Sequence, residues 1–431
     1  MSIFNRTSFF SLGGFRIFFK SMSIYTFTSI LNSGVQFLLL PVLSSYLSTE
    51  DYGTLSLLSV SISFAIPLVI AGVDSAIGTE FFRMDKEELP RYISSALIIP
   101  ACSMLILSLL FFIFRDFLAN FLNLPFWWMI AIPLFAFLQG CSNIILIIFQ
   151  VRKEPHNYAT YQIALTLTNI TLTLFFVIAC KMQWQGRAYG IYLSYFIFLL
   201  IAAAVIRKMK YFTLSIRKKH ITEALRFGIP LIPHVIGGMI LNLSDRLFIS
   251  KMTGERTLGF YAMAYNIAIL VSIVMSSFNN AWVPHLFGQL KEITPEKKKK
   301  IVKQIYLFSA FALVFAFAVN LCAPLFFTFS FINIKFIDCL PFVLWIALGY
   351  SFFGMYFTVT NFIFYEKKTY VLAYLTFGNA ILNLILNYFF ILHFGAIGAA
   401  YATALSNLIF FLLTWYLSNK IYPMPWFSFY K

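Results

Sequence analysis

Three acidic residues and two arginines stand where an apolar chain rarely tolerates charge. Asp74 lies inside the run 53–79, Glu80 and Arg83 close the far end of that run, and the pair Asp245-Arg246 lies inside 228–250. A charge in mid-membrane costs ~2.5–3.5 kcal/mol on insertion scales, so each one asks for a reason. His234, Gly238, Asn242 and Asp245 follow at steps of four, four and three, with Arg246 four beyond Asn242, which puts them on one helix face. That face is expected to look into a cleft; pairing with polar groups near the outer boundary is the alternative. Uncharged polar residues form stripes as well. Gln162, Thr166, Asn169 and Thr173 share one face of a span, Thr376, Asn379, Asn383 and Asn387 share one face of another, and Thr28, Asn32 and Gln36 follow the same spacing in the first. Amides and hydroxyls in such number suit a hydroxyl-rich cargo such as sugar. Interhelical hydrogen bonding, worth about 0.6–2 kcal/mol each, explains any single Asn equally well.

Signatures of catalysis are missing. No Walker A, GxSxG or HExxH pattern occurs, so neither nucleotide hydrolysis nor a familiar hydrolase chemistry is encoded. The cysteines Cys102, Cys141, Cys180, Cys322 and Cys339 show no CxxC spacing, and the histidines offer no i, i+4 pair for a metal. No cofactor and no metal are expected.

The elements that must position these residues are membrane spans. The chain has 431 residues, 60% hydrophobic and 11% charged, outside the range of a soluble globular protein. Its net charge of +16 sits in short clusters between apolar runs and reads as a topology signal, not a nucleic-acid surface. Apolar stretches long enough for a ~30 Å hydrocarbon layer fall near 23–47, 53–79, 92–114, 126–150, 158–180, 187–206, 228–250, 258–284, 305–328, 340–364, 370–393 and 396–418. Basic clusters occupy alternate connections, among them Arg152-Lys153, Arg207 to Arg226 and Lys297 to Lys300, while the others hold only Arg115, Lys181, Arg187, Lys251, Arg256 and Lys335. Twelve spans with both termini cytoplasmic follow from this alternation. Residues 1–20, interrupted by Arg6, Arg16 and Lys20, read as an amphipathic lead-in and not as a cleavable signal peptide.

The chain repeats itself. Leu43 to Gly53 near the first outer turn is echoed by Ile249 to Gly259 near the fourth, the final glycines 206 apart, and Gly186 and Gly190 have counterparts in Gly395 and Gly398. Each half carries six spans in one orientation, which predicts an all-α membrane protein of two six-helix bundles related by a parallel pseudo-twofold, residues 1–206 and 228–431, joined by a basic linker at 207–227. Pro230, Pro233 and Gly237-Gly238 weaken the start of the seventh span.

Several of these elements together resemble a family. Leu40-Pro41-Val42-Leu43-Ser44-Ser45-Tyr46-Leu47-Ser48-Thr49-Glu50-Asp51-Tyr52-Gly53, Phe227-Gly228-Ile229-Pro230-Leu231-Ile232-Pro233-His234, Ser244-Asp245-Arg246-Leu247-Phe248-Ile249, Leu258-Gly259-Phe260-Tyr261 and Gly395-Ala396-Ile397-Gly398-Ala399-Ala400-Tyr401 look like the polysaccharide repeat-unit flippases of the O-antigen type, in the same order along nearly the whole chain. That family lies in the superfamily of the multidrug and toxin extruders and the lipid II flippases. The resemblance implies a non-enzymatic carrier in the bacterial inner membrane. Its cargo would be an undecaprenyl-diphosphate-linked oligosaccharide, turned from the cytoplasmic to the periplasmic leaflet by alternating access. Membrane lipids, a polysaccharide polymerase and a chain-length regulator are the implied partners, and nucleic acid is not. By the same resemblance Arg83 and Arg246 would meet the diphosphate, Asn242, Gln162, Asn169, Asn379 and Asn383 the sugar, and Asp74 and Asp245 would pair with those arginines or exchange a coupling ion. A cation- or proton-coupled exporter of small molecules is the alternative. A polymerase is less well matched, because the longest outer connection, around Arg115 to Pro125, is too short for an active site.

Overall fold

A computed structural model describes residues 24, 27–28, 31–32, 34, 37–85, 87–291, 293–366 and 368–427. The expected lead-in at 1–20, part of the first expected span including Gln36, and the side chains of His234 and Asn242 lie outside the described residues. The remainder is helical throughout: α1 Leu40–Tyr46, α2 Thr49–Ile70, α3 Val73–Glu80, α4 Leu89–Ala96, α5 Ile98–Ile113, α6 Arg115–Leu122, α7 Phe126–Val151 and α8 Pro155–Leu174, which runs into a π turn at Phe175–Ala179. Then come α9 Gln183–Lys208, α10 Lys218–Gly228, α11 Ile232–Thr253, α12 Glu255–Lys291, α13 Pro295–Thr328, α14 Leu340–Tyr365, α15 Thr369–Phe394 and α16 Ile397–Ile421. In lipid every backbone N–H and C=O must be satisfied within the segment, so apolar runs of this length have no other choice.

Among the described residues ten helices are long and apolar enough to cross a membrane, and the bent pair Lys218–Ile240 and Leu243–Thr253 makes an eleventh. The chain is therefore an all-α, multi-pass membrane protein. The two arms of the bent pair meet at 58°. The bend falls beyond Pro230, which sits in a 3₁₀ turn at Ile229–Leu231, and beyond Gly237-Gly238. The second expected span is also interrupted, between α2 and α3, where Ala71 and Gly72 take left-handed conformations (φ 49° and 70°). Gly228 fits against this break so closely that a Cβ on it would lie 1.9 Å from the Ala71 carbonyl oxygen.

The described residues fall into two compact units. One comprises Ser61–Ala119 and Pro125–Pro233 with the segment before Leu40; the other comprises Leu40–Val60, Asn120–Leu124 and His234–Lys431. α2 thus gives its first part to the second unit and its last part to the first. In the first unit α9 packs on α8 and α7, α5 on α7, and α10 on α3 and α4. In the second, α14 packs on α16, α12 and α13, and α15 packs on α16. Lipid gives no hydrophobic reason for helices to associate, so close packing of small residues must do so. α16 meets this need with buried Gly398, Ala402, Ser406, Thr414 and Ser418 on one face, and the Ser418 hydroxyl donates to the Val359 carbonyl of α14 at 2.9 Å.

The repeat motif forms a contact of its own within the second unit. A Cβ on Gly53 would stand 1.9 Å from the Glu255 carbonyl oxygen, and one on Gly259 would stand 1.8 Å from that of Thr49. Thr49 corresponds to Glu255 and Gly53 to Gly259 at the same spacing of 206, so the starts of α2 and α12 cross reciprocally, each glycine on the other's first turn. Glu50 and Arg256, which also correspond, approach to 3.8 Å.

Candidate functional site

Asp245 sits mid-way along α11 and is 3% exposed. A carboxylate so placed needs donors, and α12 supplies them one turn apart. The hydroxyls of Tyr261 and Tyr265 both donate to Asp245 Oδ2, Tyr265 at 2.9 Å, while Oδ1 accepts the backbone N–H of Arg246 at 2.8 Å. Arg246 itself packs on an aromatic ring of α12. Its guanidinium carbon lies 4.7 Å from the centroid of the Tyr265 ring, and its Nε is buried without a hydrogen-bond partner. Beside it opens a cavity of ≈ 200 Å³ whose lining includes Arg246, Tyr265, Ser272, Ser276, Tyr350 and Asn407, with Phe353 and Phe357 among its apolar walls. The rings of Tyr265 and Tyr350 meet edge-on at 5.9 Å. A cation whose donors are not all used, stacked on an aromatic face and bordered by hydroxyls and an amide, suits an anionic, hydroxyl-bearing ligand. Among the described residues no three His, Cys, Asp or Glu side chains converge as a metal site would require.

The amides of α15 lie close by in the second unit. Asn383 is 1% exposed; its Oδ1 accepts from Ser244 at 3.3 Å and from Asn387 at 2.9 Å, and its Nδ2 donates to Ser406 at 3.0 Å. Both amide atoms of Asn379 are buried and have no hydrogen-bond partner.

The first unit holds the other stripe. Asn169 Oδ1 accepts from Arg187 Nη1 at 2.6 Å, and the same nitrogen donates to Thr173 at 2.8 Å. Thr166 donates to Asn32 and, at 2.9 Å, to the Gln162 carbonyl, while the Gln162 side chain is half-buried. Arg187, which the charge pattern assigns to a connection, is buried inside α9. The glycines Gly186 and Gly190 flanking it carried the signal, since Gly190 packs directly on Thr173. Asp74 accepts the backbone N–H of Ser75 at 2.7 Å in the first turn of α3. Arg83 follows that helix, largely exposed, with Glu80 at 3.8 Å. Tyr261, Tyr265 and Tyr350 have no part in the sequence-level site; the i, i+4 spacing of the first two on the helix after Asp245 was the available clue.

The fold has solved counterparts. The chain is similar to a multidrug resistance MATE family transporter of the MOP superfamily in an inward-facing conformation, with a TM-score of 0.73 and 15% identity over 90% of this chain and 94% of that one. It is similar as well to the lipid II flippase MurJ in an inward closed conformation, with a TM-score of 0.72 and 16% identity over 93% of this chain and 87% of that one. In sequence it is 27% identical to a protein of the Lsg locus of Haemophilus influenzae, over 68% of this chain and 71% of the relative. A family model described as Polysaccharide biosynthesis protein matches residues 18–290. That is more than half of the chain, and it agrees with the motifs at Leu40–Gly53, Phe227–His234 and Ser244–Ile249: the chain belongs to the polysaccharide biosynthesis protein family.

Proposed function

We propose that the protein is a flippase for a lipid-linked oligosaccharide, turning an undecaprenyl-diphosphate-linked repeat unit from the cytoplasmic to the periplasmic leaflet of the bacterial inner membrane for surface polysaccharide of the O-antigen or capsule kind. The observation that carries this reading is Arg246, with its buried, unspent Nε beside a cavity lined by hydroxyls and aromatic rings, in a chain of the polysaccharide biosynthesis family. Guanidinium remains charged when partly desolvated and presents paired donors to phosphate oxygens. Arg83, exposed at the end of α3, is the second candidate for the diphosphate. Of the amides, Asn379 has unspent donors and acceptors for a sugar, and Gln162 and Asn242 are further candidates. Asn169 and Asn383 serve as framework, because their amides are already used by Arg187, Ser406 and Asn387. Asp245, held by two tyrosines, keeps the α11–α12 wall in place, and Asp74 is the candidate for ion coupling.

The carrier works by alternating access of two halves, 1–206 and 228–431, joined at 207–227, with both termini cytoplasmic. The reciprocal Thr49/Gly53 and Glu255/Gly259 contact supports a parallel repeat of this kind. A polymerase and a chain-length regulator are its proposed partners downstream.

Disruption of the gene in a strain that makes the surface polysaccharide tests the reading. Complete lipid-linked units should accumulate on the cytoplasmic leaflet and be relieved by the intact protein but not by Arg246→Ala. Normal polysaccharide with altered tolerance to cationic drugs would instead favour an exporter, which the aromatic lining of Tyr265, Tyr350, Phe353 and Phe357 would also suit.

A further inference from the structure

Residues 209–217 join α9 to α10 and are held to the first unit along one edge. Lys210, in a left-handed conformation (φ 59°), ends α9, and the Tyr211 N–H closes on the Ile206 carbonyl at 3.1 Å. The Ser94 hydroxyl of α4 then donates to the Tyr211 carbonyl at 3.0 Å and accepts the Thr213 N–H at 2.8 Å. Ser95 accepts the Arg217 N–H at 3.0 Å. The Tyr211 hydroxyl accepts from Arg152 at 2.8 Å, and the Arg217 guanidinium reaches Glu88 at 2.9 Å.

Between these anchors the chain bends at Leu214, the Ile216 N–H closing on the Leu214 carbonyl at 3.1 Å, and its apolar side chains are left uncovered. Phe212, Leu214 and Ile216 are 56%, 87% and 55% exposed. Three large apolar side chains within five residues of a connection, all exposed, form a patch that asks for a partner. Arg207, Lys208, Lys210, Lys218 and Lys219 flank them and are all exposed. The patch begins four residues past the end of a helix long and apolar enough to span a membrane, where acyl chains are expected to give way to headgroups, on the side that the basic connections assign to the cytoplasm.

We propose that this segment is a lipid-binding strap: Phe212, Leu214 and Ile216 insert into the cytoplasmic leaflet while the flanking cations gather anionic phospholipid headgroups. The two parts support each other, since shallow apolar insertion is weak alone and each basic residue near an anionic surface adds attraction. Charge complementarity and continuity with α9 select a bilayer over a soluble partner. The strap fixes the junction between the halves at the membrane surface, whatever the cargo.

A photo-crosslinking phenylalanine analogue placed at position 214 tests this, because Leu214 is exposed enough to be replaced without disturbing the fold. In vesicles of equal phosphatidylglycerol and phosphatidylethanolamine, the label should yield phospholipid adducts enriched in phosphatidylglycerol. The same label at exposed Thr222 should yield far fewer. Lys208→Gln, Lys210→Gln and Lys218→Gln together should reduce the enrichment, by roughly up to fivefold per charge removed. Equal yields at the two positions, or no lipid adduct at 214, overturn the proposal. A protein adduct at 214 in intact cells without a lipid adduct in vesicles would assign the patch to a protein instead.

Discussion

Asp245 shows how a buried charge is kept in a membrane protein. Two tyrosine hydroxyls and one backbone N–H share its two oxygens, and hydrogen bonds to a charged group contribute about 1.5–3 kcal/mol each. Tyr261→Phe and Tyr265→Phe should therefore each lower the thermal stability of the purified protein. The loss should shrink clearly in an Asp245→Asn background, where the amide no longer demands two donors; thermal unfolding of the five variants beside the unaltered protein checks this coupling. At Arg246, replacement by Ala should reduce transport roughly tenfold or more, the equivalent of one charge-assisted hydrogen bond. Arg246→Lys keeps the charge but loses the planar stack on Tyr265 and should fall between the two; flipping assayed at equal expression decides. Equal transport by all three would remove Arg246 from the site. Asp245 and Arg246 were legible in the sequence because charges stand out in an apolar run. Their tyrosines were not, since in a chain with 23 Tyr and 53 Phe a single ring carries no signal until its partner across the helix pair is known. Arg187 was misplaced for the converse reason: charge near a span end is ordinarily a loop, and only Asn169 and Thr173 on the neighbouring helix show that it is buried.

Elements differ in what they tolerate. Gly53 and Gly259 have backbone carbonyls where a Cβ would go, so Gly53→Ala must drive α2 and α12 apart, whereas Gly237 on α11 has nothing within 4 Å. Gly53→Ala should destabilise the protein, and Gly237→Ala should be neutral or stabilise it by about 0.5–1 kcal/mol through helix propensity. Parallel thermal unfolding of both variants is the check. The connection between α3 and α4 makes a prediction about pH. Desolvation pushes the Glu88 carboxyl up, but the Arg91 hydrogen bond, the Arg217 charge and the His220 hydrogen bond outweigh it and hold it below the ordinary carboxylate range. His220 in turn faces Glu223 at 3.3 Å. A depressed carboxyl adds stability that is present above its unfolded value and lost as pH falls through the folded one. Hydrogen exchange at 211–217, corrected for intrinsic rates, should therefore show looser attachment only once pH falls below the ordinary carboxylate range. Protection that fails already near neutrality would mean that Glu88 does not hold Arg217.

Across the whole molecule, the sequence located spans far better than it located their interruptions. Expected spans at 126–150 and 370–393 coincide with α7 and α15 almost residue for residue, because hydropathy alone sets where a helix enters and leaves lipid. The break at Ala71-Gly72 and the 58° bend after Ile240 depend on which backbone approaches from elsewhere, and no local pattern records that. Orientation is open to direct measurement: a fluorescent-protein fusion ending at Lys210 should fold and fluoresce, and one ending at Lys181 should not. The crossing of α2 with α12 reaches further. Residues 206 positions apart meet there across a local twofold, as the two copies of one residue do in a symmetric dimer of identical subunits. In such a dimer the residue on the axis faces itself, so a charge there would be repelled by its own copy. Here Glu50 faces Arg256, a pairing closed to two identical subunits at equivalent positions and open to a single chain whose two corresponding segments differ in sequence.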